Sequence, residues 1–310
     1  MKFIIFIFII ILIVIIYIYV NVYRDKIIIL DLKYFAEKII NKILGKSIIP
    51  VNHINGVNGG INGVNGGTNK VNHINGGTNK ILIITCDNRP DTEYIKLHNS
   101  SFESYTNRHP NIDYKFYTDC GKENIYWSRL FLIRNLMMQN KYKWIGWVDS
   151  DTIIIDNNFN LNELLNGVNG VNGVKNKDII IADDNQLVTE GINSGIFFIK
   201  NSETGFNFIL DVINQYKSND KCREQDNKLN GMFAGVCYEQ AQMELQIQTK
   251  YKDNTYIIPS NIVLCTRDDI SGKVNAKTKR VNGVINKPFI YHLIATKTEK
   301  RNIIFKKLII

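Results

Sequence analysis

The sequence predicts an α/β protein with a mainly parallel sheet and helices on both faces, preceded by a single N-terminal transmembrane helix. Three observations lead to this fold class. Strand-like and helix-like segments alternate from residue 81 onward. Most of the strand-like segments are apolar throughout, as expected of parallel strands that helices cover on both faces. Residues 3–20 form one unbroken apolar run.

The N-terminal apolar run has about the length that a helix needs to cross a bilayer. A cleaved signal peptide is the alternative, but the run is long for one and no small-residue cleavage site follows it. We therefore predict a transmembrane anchor over residues 1–22. A helical stem is predicted over residues 23–50, where apolar residues recur near helical spacing. Basic residues flank the run on both sides, so charge alone does not decide its orientation.

Residues 51–80 have a different composition, rich in Asn and Gly, and they contain Val-Asn-His-Ile-Asn-Gly twice, from residues 51 and 71. Asn and Gly favour turns, and the segment offers little from which a core could form. The sequence therefore predicts a flexible linker over residues 51–80 and a folded domain over residues 81–310.

Within this domain the predicted elements follow in order: a strand at 81–85, a helix at 92–108, a strand at 113–117, a helix at 127–139, an aromatic strand ending at Asp149, and later strands at 179–182, 196–199 and 289–292. In parallel sheets, ligands bind beyond the carboxyl ends of the strands. Asp87 and Arg89 follow the first strand, and Asp149 and Asp151 follow the third, so all four should lie at the same edge.

Composition excludes some functions. The net charge of +9 suggests an acidic partner, but no basic stripe with stacking aromatics and no nucleic-acid motif is present, so we expect no nucleic acid as partner. The five cysteines are widely spaced and include no Cys-x-x-Cys pair. We therefore expect buried thiols, and neither a zinc site nor a disulfide framework.

The paired carboxylates Asp149 and Asp151 are the most informative feature of the chain. They end a Trp-rich strand and are separated by one small residue, Ser150. A turn after the strand would bring both to one cation. Hard oxygen ligands suit Mg²⁺ or Mn²⁺, and such ions keep open positions for substrate phosphates. The alternative is a turn without a cation, because Asp-Ser-Asp is also good turn chemistry.

Five motifs in order resemble those of the Golgi-type α-galactosyl-, mannosyl- and xylosyltransferases, a family with the Rossmann-like GT-A fold. They are Trp127-Ser128-Arg129, the Trp-rich strand with its two aspartates, Asn193-Ser194-Gly195 before an apolar strand, Glu239-Gln240, and a late strand ending at His292. The resemblance covers residues 81–301.

The resemblance implies a metal-dependent glycosyltransferase. Such an enzyme would move a hexose or pentose from a nucleoside diphosphate sugar to a glycan or protein-linked glycan, with retention of the anomeric configuration. Asp151 would bind Mn²⁺, or Mg²⁺, directly. Asp149 would bind it through water or hold the ribose, and His292 would close the site.

The same resemblance implies roles for the surrounding residues. One side chain of Asp183-Asp184-Asn185, with Asp184 as the catalytic candidate, would bind hydroxyls of the donor sugar. Glu239 would position the acceptor or act as a base. The remaining residues would contact the donor. Asp87 and Arg89 would bind its base and ribose, and Arg129 would bind its phosphate or nucleotide. The diphosphate would be bound by Lys297 and Arg301, and the sugar by Asn193, Ser194 and Gly195.

Two other functions remain open from the residues. One is a phosphohydrolase of the haloacid-dehalogenase type, with Asp149 as nucleophile. Against it, a complete strand-helix-strand-helix unit precedes the motif. The other is a non-catalytic nucleotide-sugar-binding protein. For location, the resemblance implies a type II single-pass membrane protein whose catalytic domain faces the lumen of the Golgi or endoplasmic reticulum.

Overall fold

A computed structural model describes residues 79–167, 174–184, 191–219, 222, 228–231, 234–266 and 288–309. The predicted anchor and stem, and all of the predicted linker except its last two residues, lie outside this part of the chain. None of the helices within it has both the length and the apolar character that crossing a bilayer requires.

In chain order, the strands of the described residues are β1 (Ile81–Cys86), β2 (Ile112–Tyr117), β3 (Trp144–Val148), β4 (Thr152–Ile154), β5 (Ile179–Asp183), β6 (Ile192–Lys200), β7 (Thr255–Ile258), β8 (Val263–Thr266) and β9 (Ile290–Leu293). The helices are α1 (Glu93–Arg108), α2 (Ile125–Met138), α3 (Leu161–Asn166), α4 (Glu203–Ser218), α5 (Glu239–Gln246) and α6 (Thr298–Ile309).

Six strands form the central sheet in the order β2-β1-β3-β6-β5-β7. All neighbours pair in parallel except β6, which runs antiparallel to both β3 and β5. The prediction of a mainly parallel sheet is confirmed. Because β6 runs the opposite way, its first residues lie beside the last residues of β3. The segment Asn193–Gly195 is thereby placed next to Asp149.

Alternating residues of the strands supply the two faces of the core. Leu82 and Ile84 of β1 pack with Trp127 of α2 and with residues of α4. Ile81 and Ile83 pack on the opposite face with α1 and α3. Burying each such side chain contributes roughly 1.5–3 kcal/mol. Helices therefore cover both faces, as the continuous apolar strands predict.

Local sequence fixes where the helices begin. The side chain of Asn124 accepts a hydrogen bond from the Tyr126 amide at 3.0 Å and starts α2. The Ser202 hydroxyl accepts one from the Gly205 amide at 3.1 Å and starts α4. Such caps satisfy amides that have no partner within the helix.

A second sheet of three strands, in the order β4-β9-β8, was not foreseen from the sequence. Its middle strand places His292 opposite Thr152 of β4 on one side and opposite Cys265 of β8 on the other. Since Thr152 directly follows Asp151, this pairing brings His292 to the paired aspartates from more than a hundred residues away in sequence.

The expectation that the cysteines are buried thiols was wrong for four of the five. Disulfides join Cys86 to Cys120 and Cys222 to Cys237, and Cys265 remains a buried thiol. The parallel pairing of β1 with β2 sets Cys86 beside Tyr117, and the chain then needs only three more residues to reach Cys120. The spacing of the two cysteines along the sequence does not indicate that they lie close together.

Candidate functional site

The turn after β3 holds both aspartates of the Asp-Ser-Asp motif on the same side. The Asp149 amide donates to the Gly195 carbonyl of β6 at 2.8 Å. The hydroxyl and amide of Thr152 both donate to the Asp149 carbonyl, at 2.7 and 3.1 Å. The Leu293 amide donates to the Asp151 carbonyl at 2.9 Å. The turn is therefore fixed by β6 and β9 as well as by its own residues.

Asp149, Asp151 and His292, called here the metal-ligand cluster, offer ligand atoms that all lie within 4.8 Å of one another. His292 Nε2 is 3.0 Å from Asp151 Oδ1 and 3.9 Å from Asp149 Oδ2. Two carboxylates and an imidazole are the donor set that the sequence predicts for Mn²⁺.

A further observation supports the fit of a cation to this cluster. A Cβ atom on Gly195 would contact the His292 ring, and it would lie 2.8 Å from Asp149 Oδ2. Glycine is therefore needed where the ligand-bearing side chains converge. The donors present fit a divalent cation.

Two arginines contact the carboxylates of the cluster. Arg301 of α6 donates from Nη2 to Asp151 Oδ2 at 2.7 Å. Arg129 of α2 lies 3.3 Å from Asp149 Oδ1 and packs over the Trp147 ring. Trp147 in turn donates from Nε1 to the same carboxylate at 2.7 Å. The carboxylates are thus held by cations and donors on the sides that do not face His292.

Burial and charge shift the pKa values of the cluster. Burial raises the pKa of Asp149 above its ordinary value, although Arg129 opposes the change. Burial would also raise the pKa of Asp151, but His292 and Arg301 outweigh it and lower that pKa. Burial would lower the pKa of His292, but the Asp151 carboxylate raises it well above its ordinary value.

Glu239, the first residue of α5, forms part of the wall of the site and is 2% exposed. The Ser194 hydroxyl donates to its Oε1 atom at 2.9 Å, and Arg129 Nη1 lies 3.6 Å from the same oxygen. Arg129 also donates to the Ser194 carbonyl at 2.9 Å. Burial raises the pKa of Glu239. Arg129 therefore links Glu239 to the metal-ligand cluster.

Asp87 and Arg89 lie at the end of β1, where they bind each other. The Arg89 guanidinium donates to both carboxylate oxygens of Asp87, at 2.9 and 2.7 Å. Ser150 donates to Asp87 Oδ2 at 2.6 Å. Burial would raise the pKa of Asp87, but these hydrogen bonds lower it. Asp87 thus connects the Asp-Ser-Asp turn to Arg89, whose side chain is 58% exposed.

A cavity of about 950 Å³ joins these groups, a volume suited to a small-molecule substrate. It brings together all but one of the residues that the sequence predicts for the site: Asp87, Arg89, Arg129, Asp149, Asp151, Asp184, Asn193, Ser194, Gly195, Glu239, His292 and Arg301. The exception is Lys297, which is exposed and does not line the cavity.

Sequence reasoning gave no role to several residues that the structure places in the site. Ser150 is the middle residue of the Asp-Ser-Asp motif, from which the sequence predicts roles only for the two aspartates. Gln240 accepts hydrogen bonds from the Ser194 amide and hydroxyl at 3.1 and 3.2 Å. Its position next to Glu239 was the available signal. Tyr126 and Tyr238 line the cavity as a T-shaped pair with ring centroids 5.0 Å apart.

Comparison with known sequences gives one family and one relative. Residues 63–250 match the model of the galactosyl transferase GMA12/MNN10 family. A galactomannan galactosyltransferase 1 from Cyamopsis tetragonoloba is 30% identical over an alignment of 128 residues, and the match covers 39% of this chain. The chain spans only 25% of the length of that relative.

Two solved structures are similar. A glycosyltransferase involved in the glycosylation of the major capsid of PBCV-1 has a TM-score of 0.51 and 13% identity, over 74% of this chain and 99% of that one. Mouse xyloside xylosyltransferase 1 has a TM-score of 0.39 and 11% identity, over 70% of this chain and 97% of that one. At 13% identity, the first similarity shows a shared fold.

Proposed function

Because this chain belongs to the galactosyl transferase GMA12/MNN10 family, we propose that it is a metal-dependent glycosyltransferase. It moves a hexose or pentose from a nucleoside diphosphate sugar to a glycan or protein-linked glycan. The observation that carries the proposal is the metal-ligand cluster in a cavity large enough for such a donor. Family membership also argues against the phosphohydrolase alternative.

In this proposal, Asp151, Asp149 and His292 hold Mn²⁺, with Mg²⁺ as the alternative. When bound, the cation supplies the positive charge of a Lewis acid, which stabilises the departing nucleoside diphosphate. Arg301 lies within hydrogen-bonding distance of Asp151 and orients that carboxylate. Its positive charge also favours the binding of a diphosphate at the same edge of the sheet.

The other cavity residues divide between donor and acceptor. Arg89, exposed at the end of β1, is available to contact the base and ribose, and Asp87 holds it in place. Asp184 and the segment Asn193–Gly195 contact the donor sugar. Glu239 orients the acceptor hydroxyl, and the leaving phosphate takes the hydroxyl proton when the anomeric configuration is retained.

The donor sugar is proposed from the family. The matching family model is described as one of galactosyl transferases, and the sequence relative carries galactosyltransferase in its name. We therefore put nucleoside diphosphate galactose first among the donors to be tested, followed by the corresponding xylose and mannose compounds.

A location in the secretory pathway fits the disulfides. Disulfides form and persist in oxidising compartments, and the structure contains two of them in the part of the chain that it describes. We propose that residues 1–22 anchor the chain as a type II membrane protein. Residues 23–80 then serve as stem and linker, and the catalytic domain faces the Golgi or endoplasmic reticulum lumen.

The test is a screen of full-length protein against nucleoside diphosphate sugars with Mn²⁺, measuring the release of nucleoside diphosphate with and without glycan acceptors. Asp151→Asn is expected to lower the rate at least 100-fold, which corresponds to about 3 kcal/mol of lost transition-state stabilisation. EDTA should abolish the activity, and the anomeric configuration of the product, read by NMR, should match that of the donor.

Asp156→Asn is the matched control. Asp156 lies shortly after the end of β4, and it does not line the cavity. It should keep its activity. Full turnover by folded Asp151→Asn would rule out the proposed metal role. Binding of nucleotide sugars without metal dependence and without turnover would favour the non-catalytic alternative.

A further inference from the structure

The two ring nitrogens of His292 have different partners. Nε2 faces the metal-ligand cluster and lies 3.0 Å from Asp151 Oδ1. Nδ1 lies 3.6 Å from Sγ of Cys265, a distance that accommodates the large radius of sulfur. A histidine that binds a metal through one nitrogen is usually held by a hydrogen bond from the other, which fixes its orientation and tautomer.

The backbone enforces this contact. Cys265 of β8 and His292 of β9 are directly paired in the parallel register of the three-stranded sheet. On the other side of β9, His292 is paired with Thr152, next to Asp151. The ring therefore lies between a sulfur atom and a carboxylate. Cys265 is fully buried and His292 is 3% exposed, so bulk water does not compete for Nδ1.

Cys265 is chemically distinct from the other cysteines of the chain. Four of the five form disulfides, and Cys265 is the one that remains a thiol. A thiol sulfur is a weak hydrogen-bond acceptor, whereas metal-binding histidines more often donate to a carboxylate, a carbonyl or water. The identity of residue 265 therefore bears on how firmly the imidazole is held.

We propose that Cys265 is a positioning residue, whose sulfur accepts a hydrogen bond from Nδ1–H of His292 and so directs Nε2 toward the divalent cation. The inference rests on the proposed metal role of His292, and it adds a residue outside the cavity to the machinery of the site. The hydrogen bond exists with or without the cation, which makes it testable independently of catalysis.

The first test measures the Mn²⁺ affinity of full-length protein by electron paramagnetic resonance titration. Cys265→Val keeps a similar volume and removes the acceptor, and we expect affinity to fall about 10-fold. Cys265→Ser retains an acceptor and should stay within about 3-fold of the unmodified protein. Unchanged affinity in Cys265→Val would overturn the inference. An equal loss in both variants would also overturn it, because packing rather than hydrogen bonding would then be responsible.

The second test uses the infrared S–H stretching band of the metal-free, full-length protein. Because Cys265 is the one cysteine outside a disulfide, the band belongs to it and should vanish in Cys265→Ser. It should shift in His292→Phe, which keeps a ring but removes Nδ1. An unshifted band would overturn the inference and leave the proposed function standing. Failure of the unmodified protein to bind any divalent cation would overturn the metal role itself.

Discussion

Gly195 shows at the scale of a single residue how tightly the candidate site is built. Its missing Cβ would meet the His292 ring, Asp149 Oδ2 and Asn193 Oδ1. We predict that Gly195→Ala lowers Mn²⁺ affinity at least 10-fold, because two proposed ligands must move. Overpacking should also cost about 1–3 kcal/mol of stability. Isothermal titration with Mn²⁺ and urea denaturation measure the two effects separately.

Gly121→Ala is a suitable control for that experiment. Gly121 has a φ of +93°, so alanine is strained there, but its Cβ would meet nothing within 4 Å. This variant should lose stability and keep its Mn²⁺ affinity. If Gly195→Ala binds Mn²⁺ as tightly as the unmodified protein, the ligand atoms do not converge where the structure places them.

His98 provides a pH-dependent contribution to stability. It is fully buried beneath the Asp-Ser-Asp turn, with Nδ1 2.7 Å from the Thr152 carbonyl and Nε2 3.0 Å from the Thr85 hydroxyl. Burial lowers its pKa from 6.5 to about 4. Between these values the unfolded chain binds a proton that the folded protein does not, so stability falls as pH falls.

The loss expected from this group between pH 6.5 and pH 4 approaches roughly 3 kcal/mol. It should be visible as a drop in the free energy of unfolding, measured with urea at several pH values. The variant His98→Gln has no ionisable group at this position, so it should lose less stability over the same interval. Parallel pH profiles for the two proteins would contradict the assignment.

At the scale of strands and helices, the sequence predicted single elements well but not the pairing between distant strands. Trp144–Val148 was recognisable as a strand because it is apolar and stops at carboxylates. The orientation of β6 and the existence of the three-stranded sheet depend on pairing between distant segments, which one sequence does not show. His292 was therefore found only through the resemblance to a family. The disulfides were not predicted for the same reason.

Lys297 and Arg301 show how an element decides between neighbouring residues. Both were expected to contact a diphosphate, but they are separated by one helical turn at the start of α6, where the Arg301 amide donates to the Lys297 carbonyl. Arg301 reaches Asp151, while Lys297 stays exposed. From the sequence, both basic side chains are equally good candidates for binding a diphosphate. Only their positions on the folded helix show which one reaches the site.

The Cys222–Cys237 disulfide supports the wall that carries Glu239. Cys237 lies two residues before Glu239, and its carbonyl accepts a hydrogen bond from Trp127 Nε1 at 3.0 Å. We predict that the double variant Cys222→Ser, Cys237→Ser loses about 3 kcal/mol of stability. Misplacement of Glu239 should lower the transfer rate about 10-fold or more.

Measuring the Mn²⁺ affinity distinguishes misplacement of Glu239 from a general disruption of the fold. Asp151 and His292 are held by Arg301 and by the pairing of β9 with β4, not by α5, so the double variant should keep most of its Mn²⁺ affinity. Any loss that Arg129 transmits from Glu239 to Asp149 should be smaller than the fall in transfer rate. Transfer assays and metal titrations on the same preparation provide the comparison. An unaltered transfer rate would show that the disulfide does not position Glu239.

At the scale of the whole molecule, the N-terminal apolar run and the disulfides support the same location. The run precedes the described residues, and both disulfides lie within them. If the run acts as a type II anchor, the sequence that follows it enters an oxidising lumen, where the cysteine pairs close. Without the run, the same domain would remain in the reducing cytosol.

Counting thiols tests this connection between anchor and fold. In cells with a secretory pathway, the full-length chain should show one cysteine reactive with maleimide after denaturation without reductant, which is Cys265. A chain lacking residues 1–22 should show all five. Full-length chain that is first reduced serves as the control and should also show five. Five reactive thiols in unreduced full-length chain would contradict the lumenal orientation, because the disulfides would then not have formed where the anchor delivers the domain.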